Sequence, residues 1–365
     1  MVIKGVMHQT GAGNDFKPAN QSHDLGNDDQ AFWAMAAMSA AENKFPNPPK
    51  DDPQWLELVQ AVFNEQAADW NKRKDTCGGG MMWQIFEYNN GFGYKNTISN
   101  GCFFNMGARL AAYTGNKTYA DWAEKAFDWT HDIGLITHEW QFLDGTYTTS
   151  NLNCTKMNPL RWSYNAGVFL NGAAAMYRFT NESDLWKERL QNIANGLRDV
   201  FFNDQGIMNE ITCEPAQTCN NDQQTFKAHT SRWMAATIKQ APFLTDQLMP
   251  LLRNSSIAAA KQCSGPGNAC GLEWTKEDQY DGINGPGEQM AALQVFLSNL
   301  IKTAKPPADS ETGDSRGDPS AGTSSNQPTI KPPATITQKD KAGAVILTII
   351  MVVATIFGTV WVSMG

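Results

Sequence analysis

The chain has 365 residues, of which 41% are apolar and 12 are Trp, enough for one large domain or two small ones with a sizeable core. The formal net charge is −8, and no basic stripe is present to replace phosphate counterions, which excludes a nucleic-acid partner. None of the seven cysteines forms a CxxC pair accompanied by histidines, so we predict neither a metal site nor a cofactor.

Residues 1–303 carry the helical part of the sequence. Apolar side chains recur at three- and four-residue spacing in about nine segments between residues 28 and 303, as in amphipathic helices. Loops rich in Gly and Asn separate them, and no alternating strand pattern of useful length occurs. The sequence predicts an all-α toroid of helical hairpins. An (α/α)6 barrel needs twelve helices, so we expect about three more before residue 20. The segments start near Asp28, Pro53, Ser99, Lys117, Ser163, Ser183, Asp222, Thr245 and Pro286.

The C-terminal residues have a different composition. Residues 304–341 are rich in Pro, Ser, Thr, Gly and Asp and are predicted to form a disordered, O-glycosylated stalk. Residues 342–365 are hydrophobic, and 344–362 are 19 residues without a charge, nearly enough to cross a bilayer. Only three residues follow, without a basic flank, which favours a GPI-anchor signal. The alternative is a single C-terminal transmembrane anchor.

Several features predict passage through the secretory route. Cys213 with Cys219 and Cys263 with Cys270 would each close a short loop as disulfides, and the odd cysteine count leaves one thiol that is free or paired outside this chain. The first sixteen residues contain no apolar signal-peptide core, so we expect a signal peptide and the first helices to precede Met1. Sequons, the N-glycosylation acceptors, occur at Asn20, Asn116, Asn153, Asn181 and Asn254.

Asp28 and Asp29 are the candidate catalytic pair. Glycosidic cleavage needs one carboxylic acid to protonate the leaving oxygen and one carboxylate to attack, or to activate water. Adjacent side chains at a helix start can place two carboxyl groups about 5–6 Å apart, a separation that suits a retaining mechanism. Their proximity would also raise the pKa of one of them. The structural alternative is that Asp28 and Asp29 only cap the helix.

Five motifs occur in order along the chain: GNDDQAFWAMAAMSAAE at 26–42, CGGGMMWQ at 77–84, YKNTISNGCFF at 94–104, RWSYNAGVFLNGAAAMY at 161–177 and NDQQTFKAH at 221–229. Together they resemble glycoside hydrolase family 76, in its fungal branch of GPI-anchored mannosidase-like wall proteins. The resemblance implies an (α/α)6 barrel acting on α-1,6-mannan, with Asp28 as nucleophile and Asp29 as acid/base. It also implies that GPI-glycan mannose is a donor and wall glucan a possible acceptor.

The same motifs supply candidate substrate contacts. Trp83 could stack on a mannose ring, Tyr164 could orient the nucleophile, and the resemblance implies that Asp222 holds mannose hydroxyls. For each there is a structural alternative: core packing for Trp83 and Tyr164, and helix capping for Asp222. His131, His138 and His229 show no ligand spacing and are interpreted as structural. The full set of candidate contacts is Asn27, Trp83, Gln84, Asn96, Asn100, Tyr164, Asn165, Asp222 and Lys227.

The sequence therefore predicts an endo-acting α-1,6-mannosidase or transglycosidase, attached to the membrane by its C-terminal anchor. One rival is a catalytically silent glycan-binding wall scaffold on the same barrel. Another is an intracellular helical toroid with different chemistry, against which the C-terminal residues and the cysteine pairs argue.

Overall fold

A computed structural model describes residues 2–148, 153–276, 279–324 and 336–364. The chain divides into two compact units, Met1–Pro328 and Thr329–Gly365. The first unit contains the helices and loops that build the candidate site. The second is represented in the described residues by one long helix.

All nine predicted helical segments are helices in the first unit. Each begins within about four residues of its predicted start, and a short helix at Val2–His8 was not predicted. The helices of the described part of this unit are α1 (Val2–His8), α2 (Asn27–Glu42), α3 (Trp55–Lys72), α4 (Thr97–Thr114), α5 (Lys117–Asp132), α6 (Ser163–Phe179), α7 (Asp184–Phe201), α8 (Phe226–Gln240), α9 (Thr245–Gln262) and α10 (Pro286–Ser298).

The helices form two concentric layers. The inner helices α2, α4, α6, α8 and α10 pack side by side in chain order, and α3, α5, α7 and α9 pack on their outer side. Close approach of α4 to α6 depends on glycine, since a Cβ on Gly172 would lie 2.5 Å from the Phe104 ring. The all-α prediction and the barrel of helical hairpins are confirmed.

Three short strands lie in the loops between the helices. β1 (Tyr94–Asn96), β2 (Gly145–Tyr147) and β3 (Met157–Asn158) form an antiparallel sheet in that order. Tyr94 pairs with Tyr147, and Gly145 pairs with Asn158. Strands of two or three residues are too short to give an alternating pattern. The sheet leads directly into α4, because Asn96 ends β1 and its side chain accepts a hydrogen bond from the Ser99 N–H.

Three disulfides cross-link the loops. The predicted pairs Cys213–Cys219 and Cys263–Cys270 are both present. A third, Cys77–Cys154, joins two loops that are 77 residues apart in sequence. Cys102 is a free, buried thiol on α4, so it is the odd cysteine expected from the count.

The predicted boundary between folded domain and stalk at residue 303 needs correction. Residues 304–324 pack on the helices: the Ala308 N–H donates to the Glu42 carbonyl at 2.8 Å, and the Ser310 N–H to the Tyr113 carbonyl at 2.7 Å. Asp309 forms an ion pair with Arg178 at 3.0 Å. Contacts made by backbone groups leave no apolar periodicity in the sequence. The composition of this segment therefore suggested disorder, although the segment is packed on the helices. Residues 325–335 of the predicted stalk lie outside the described residues.

The second unit contains α11 (Gln338–Met364), a helix of 27 residues with a mean hydropathy of 2.5 over its most apolar window. Among the described residues it is the one helix long and apolar enough to cross a membrane. It includes the predicted charge-free tail.

The five sequon asparagines all have exposed side chains: Asn20, Asn116, Asn153, Asn181 and Asn254. Their exposure meets the first requirement for glycosylation, which stays a prediction.

Candidate active site

Asp28 and Asp29 occupy the first turn of α2 but have different partners. The Asp29 carboxylate accepts a hydrogen bond from the Gly26 N–H at 2.7 Å, which is a helix-capping interaction. Asp28 instead accepts one from the Asn96 side-chain amide at 3.3 Å and one from the Asp29 N–H at 3.2 Å. The capping alternative therefore describes Asp29 only in part, and it does not describe Asp28.

The surroundings raise the pKa of both carboxyl groups. Burial, followed by the nearby charge of Asp29, raises the pKa of Asp28 well above its ordinary value. Burial also raises the pKa of Asp29, while the bond from Gly26 opposes the increase. Burial thus favours the protonated form of both carboxyl groups in the free protein.

Both carboxyl groups face a cavity of about 630 Å³ at the start of the inner helices. Four acidic side chains and several aromatic rings share it, so it offers hydrogen-bond acceptors together with apolar faces for a sugar ring. Asp28, Asp29, Tyr164 and Asp222 among the predicted residues line it. The complete lining is Gln21, Asp24, Leu25, Asp28, Asp29, Phe32, Trp33, Tyr164, Asp222, Phe226 and His229.

Tyr164 is held by stacking at the start of α6. Its ring lies parallel to that of Phe226, with centroids 3.8 Å apart and planes inclined by 12°. Burial and the negative charge of Asp28 raise the pKa of Tyr164 well above its ordinary value. Its hydroxyl therefore stays protonated and is available as a hydrogen-bond donor near Asp28.

Three predicted contacts support the loop at residues 81–84 rather than line the cavity. The Asn27 amide donates to the Met82 carbonyl at 3.0 Å, and Asn100 accepts from the Met81 N–H at 2.8 Å. Gln84 accepts from the Asn89 amide at 3.0 Å and is buried. These bonds fix residues 81–84 beside the start of α2, where the Trp83 carbonyl accepts from the Asn27 N–H at 2.7 Å.

The glycine-rich segment before this loop has a packing reason for its composition. Gly79 and Gly80 both have positive φ, and a Cβ on Gly80 would lie 2.2 Å from the ring of Trp129. The Trp129 indole also donates to the Cys77 carbonyl at 2.9 Å. Only glycine permits this close approach.

Trp83 and Asn96 lie beside the cavity without lining it. The Trp83 side chain is 36% exposed and meets the Tyr94 ring edge-on at 6.4 Å. It is therefore accessible to a ligand, as the stacking hypothesis requires. The Asn96 amide donates to Asp28, so Asn96 is a partner of the candidate catalytic pair.

Lys227 and Asn165 do not line the cavity, and both side chains are completely buried. The Lys227 ammonium group lies 2.6 Å from Glu214, donates to the Leu272 carbonyl and lies 4.1 Å from the Trp274 ring centroid. Lys227 follows Phe226 by one residue, and the 100° rotation per residue of a helix turns it away from the cavity. Asn100 is likewise completely buried, and its amide donates to the Asn96 carbonyl at 2.8 Å and to the Met81 carbonyl at 3.2 Å.

Sequence reasoning missed several lining residues. Phe32 and Trp33 follow Asp28 and Asp29 by four residues, so helical spacing could have placed them on the same face. Phe226 and His229 follow Asp222 by four and seven residues, and the same argument applies. Gln21, Asp24 and Leu25 come from the loop before α2 and carry no comparable signal. The described residues contain no group of three or more potential metal ligands.

Comparisons with known proteins identify the family. The sequence profile of glycosyl hydrolase family 76 matches residues 1–311. The chain belongs to this family, and it is a glycoside hydrolase. Mannan endo-1,6-alpha-mannosidase DCW1 of Candida glabrata is 46% identical, and DCW1 of Saccharomyces cerevisiae is 45% identical; each alignment covers 99% of this chain, and 80% and 79% of the relatives.

Solved structures of the family agree with the fold. Dfg5 from Chaetomium thermophilum, solved in complex with glucosamine, has a TM-score of 0.85 at 48% identity, covering 89% of this chain and 80% of Dfg5. An inactive variant of the alpha-1,6-mannanase GH76A of Salegentibacter sp. HEL1_6, in complex with alpha-1,6-mannotriose, has a TM-score of 0.60 at 15% identity, covering 77% and 78% of the two chains. At this low identity the second comparison shows the fold alone.

Proposed function

We propose that this chain is an endo-acting α-1,6-mannosidase or transglycosidase of the fungal cell wall that retains anomeric configuration. The observation that carries the proposal is the adjacent pair Asp28 and Asp29, both with raised pKa and both open to one cavity. Aromatic rings in the same cavity provide faces on which a sugar can stack.

The names of the relatives support mannan as the substrate. The DCW1 and DFG5 relatives are mannan endo-1,6-alpha-mannosidases at 40–46% identity. The more distant GH76A mannanase was solved with alpha-1,6-mannotriose. A donor in this class is either α-1,6-mannan or the mannose of a GPI glycan.

In the first chemical step, the Asp28 carboxylate attacks the anomeric carbon. The bond from that carbon to the glycosidic oxygen breaks, and Asp29 gives its proton to the leaving oxygen. The products are a glycosyl ester of Asp28, a free hydroxyl on the released sugar and an ionised Asp29. The Asn96 amide stabilises the negative charge on Asp28 before the attack.

In the second step, Asp29 removes a proton from an acceptor hydroxyl, which attacks the anomeric carbon and releases Asp28. Water as acceptor gives hydrolysis, and a sugar hydroxyl gives transfer. We propose that wall glucan is an acceptor, so that the reaction links GPI mannoproteins to the wall. No resident cofactor is needed for either step.

The proposed location is the outer surface of the plasma membrane or the cell wall, reached by the secretory route. Three disulfides favour an oxidising compartment. The apolar helix α11 supports attachment through a GPI-anchor signal or a transmembrane segment.

The test replaces each carboxylate by its amide. We expect Asp28→Asn and Asp29→Asn each to abolish turnover of α-1,6-mannooligosaccharides, measured by released reducing ends. Asp184→Asn is the matched control, since Asp184 is an exposed acid in the first turn of α7, and it should leave activity unchanged. Undiminished activity in both active-site variants would reject the catalytic roles. If the wild-type protein binds the oligosaccharide but does not cleave it, the glycan-binding scaffold is the better interpretation.

A further inference from the structure

The floor of the catalytic cavity contains an imidazole that the sequence did not single out as functional. His229 projects from α8 and meets Phe32 of α2 with ring centroids 5.0 Å apart, and Trp233 lies one turn further along α8 at 5.6 Å. Its ring orientation is therefore set by two aromatic neighbours. The same cavity contains Asp28 and Asp29.

The polar atoms of this imidazole are available to a ligand. Across the described residues, no protein group forms a hydrogen bond with either nitrogen of His229, and neither nitrogen is sealed inside the protein. An imidazole that is mostly buried and lines a cavity without a protein partner gains a bond only when something enters that cavity.

His229 is also neutral. Burial, followed by the positive charge of Arg232, lowers the pKa of its imidazole to about 3. A neutral imidazole has one N–H donor and one acceptor nitrogen. It can therefore donate a hydrogen bond to a hydroxyl group or accept one from it. It forms no ion pair that would keep Asp28 or Asp29 ionised.

We propose that His229 is a specificity-determining residue, whose imidazole hydrogen-bonds a hydroxyl of the sugar bound beside Asp28 and Asp29. The His229 proposal rests on the proposed function, and it adds to that function a polar contact on the cavity floor. The flanking rings of Phe32 and Trp33 accept the apolar face of the same sugar. A ring lacking the hydroxyl would leave the imidazole unpaired, which discriminates against deoxygenated or apolar ligands.

Three variants of the full chain separate recognition from packing. His229→Phe keeps an aromatic ring between Phe32 and Trp233 but removes both nitrogens. His229→Gln loses the ring but keeps a donor and an acceptor. His131→Phe is the control, because His131 is an exposed histidine on α5 that also lies against a tryptophan, Trp140, at 5.9 Å.

The measurement is the Kd for α-1,6-mannotriose by calorimetry, with each variant combined with Asp29→Asn so that no turnover occurs. We expect His229→Phe to weaken binding about 10- to 100-fold, as for an unpaired buried polar group. His229→Gln should stay within about 5-fold of the parent, and His131→Phe should not change Kd. In the Asp29-containing protein, His229→Phe should raise KM far more than it lowers kcat.

Unchanged affinity in His229→Phe would overturn the proposal. Equal losses in His229→Phe and His229→Gln would also overturn it, because they would assign His229 to packing. Because Kd is measured without turnover, a wild-type protein that binds mannotriose but does not cleave it would reject the proposed catalysis while the His229 comparison still stands.

Discussion

Two pairs of carboxylates in this protein have raised pKa values, and they differ in what surrounds them. Asp28 and Asp29 line the cavity, whereas Glu210 and Glu214 are buried behind the start of α6. Burial raises the pKa of Glu210 to about 8, and it also raises the pKa of Glu214. A raised pKa alone therefore does not distinguish a catalytic group from a structural one.

The partners of the two pairs provide the distinction. Glu210 accepts hydrogen bonds from the Ser163 N–H, at 3.1 Å, and from its hydroxyl, while Glu214 is paired with the Lys227 ammonium group at 2.6 Å. Glu210 thereby holds the first turn of α6, which presents Tyr164 to the cavity. Asp28 and Asp29 have protein partners on one side and open space on the other, where a substrate can bind.

The largest expected effect sharpens the difference within the catalytic pair. On an aryl α-mannoside whose leaving group needs no proton, Asp29→Asn should retain activity and accumulate the glycosyl-enzyme intermediate. Asp28→Asn should be inactive on the same substrate, because the covalent step itself is lost. The two rates should differ by roughly 10²- to 10⁴-fold, the usual contribution of a positioned acid or base.

Stopped-flow release of the aryl group, with mass spectrometry of the trapped protein, measures this difference. A labelled intermediate in Asp28→Asn and none in Asp29→Asn would reverse the roles. The experiment therefore tests the two roles that the family resemblance implies.

The sequence predicted the helices, because they depend on local spacing, and it placed Asp28 and Asp29 together at the start of α2. Apolar periodicity indicated all nine long helices, and α8 differs most from its prediction because residues 223–225 form a tighter helical turn before it. The seven-residue helix α1 contains a glycine and was missed. Its apolar residues, such as Ile3 and Val6, still pack on the core.

The remaining site residues could not be assigned because their roles depend on tertiary contacts. Lys227 and Phe226 are neighbours in one motif, yet Phe226 lines the cavity while Lys227 pairs with Glu214 inside the protein. Motif membership does not say which way a side chain points. Likewise, residues 304–324 pack through backbone bonds to groups such as the Glu42 carbonyl, which no composition reveals.

The second prediction breaks the buried pair. Lys227→Met should lower the free energy of unfolding by about 3–5 kcal/mol, because it leaves the Glu214 carboxylate buried without its counter-charge. Lys276→Met is the matched control, since Lys276 forms a more exposed ion pair with Glu273 at 3.2 Å, and it should cost about 1 kcal/mol or less.

Urea unfolding followed by tryptophan fluorescence measures both values. Adding Glu214→Gln to Lys227→Met should recover much of the loss, because the remaining group is neutral. If Lys227→Met costs no more than its control, the Lys227–Glu214 pair contributes nothing that a methionine cannot replace.

The smallest expected effect has the opposite sign, and it tests whether the catalytic pair is held at a cost to stability. The folded-state pKa of Asp28 is raised above its unfolded value. The contribution of this carboxyl to stability is therefore fully present below about pH 4 and is lost as pH rises through the folded-state pKa.

At pH 7, Asp28→Asn removes both the burial of a charge and its repulsion with Asp29, so it should raise the free energy of unfolding by roughly 1 kcal/mol. The gain should shrink toward zero near pH 4, where the wild-type carboxyl is protonated. Urea unfolding of the wild-type protein and of Asp28→Asn at pH 7 and pH 4 provides the comparison. A loss of stability in Asp28→Asn at pH 7 would mean that the bonds from Asn96 and the Asp29 N–H stabilise the carboxylate by more than its burial destabilises it.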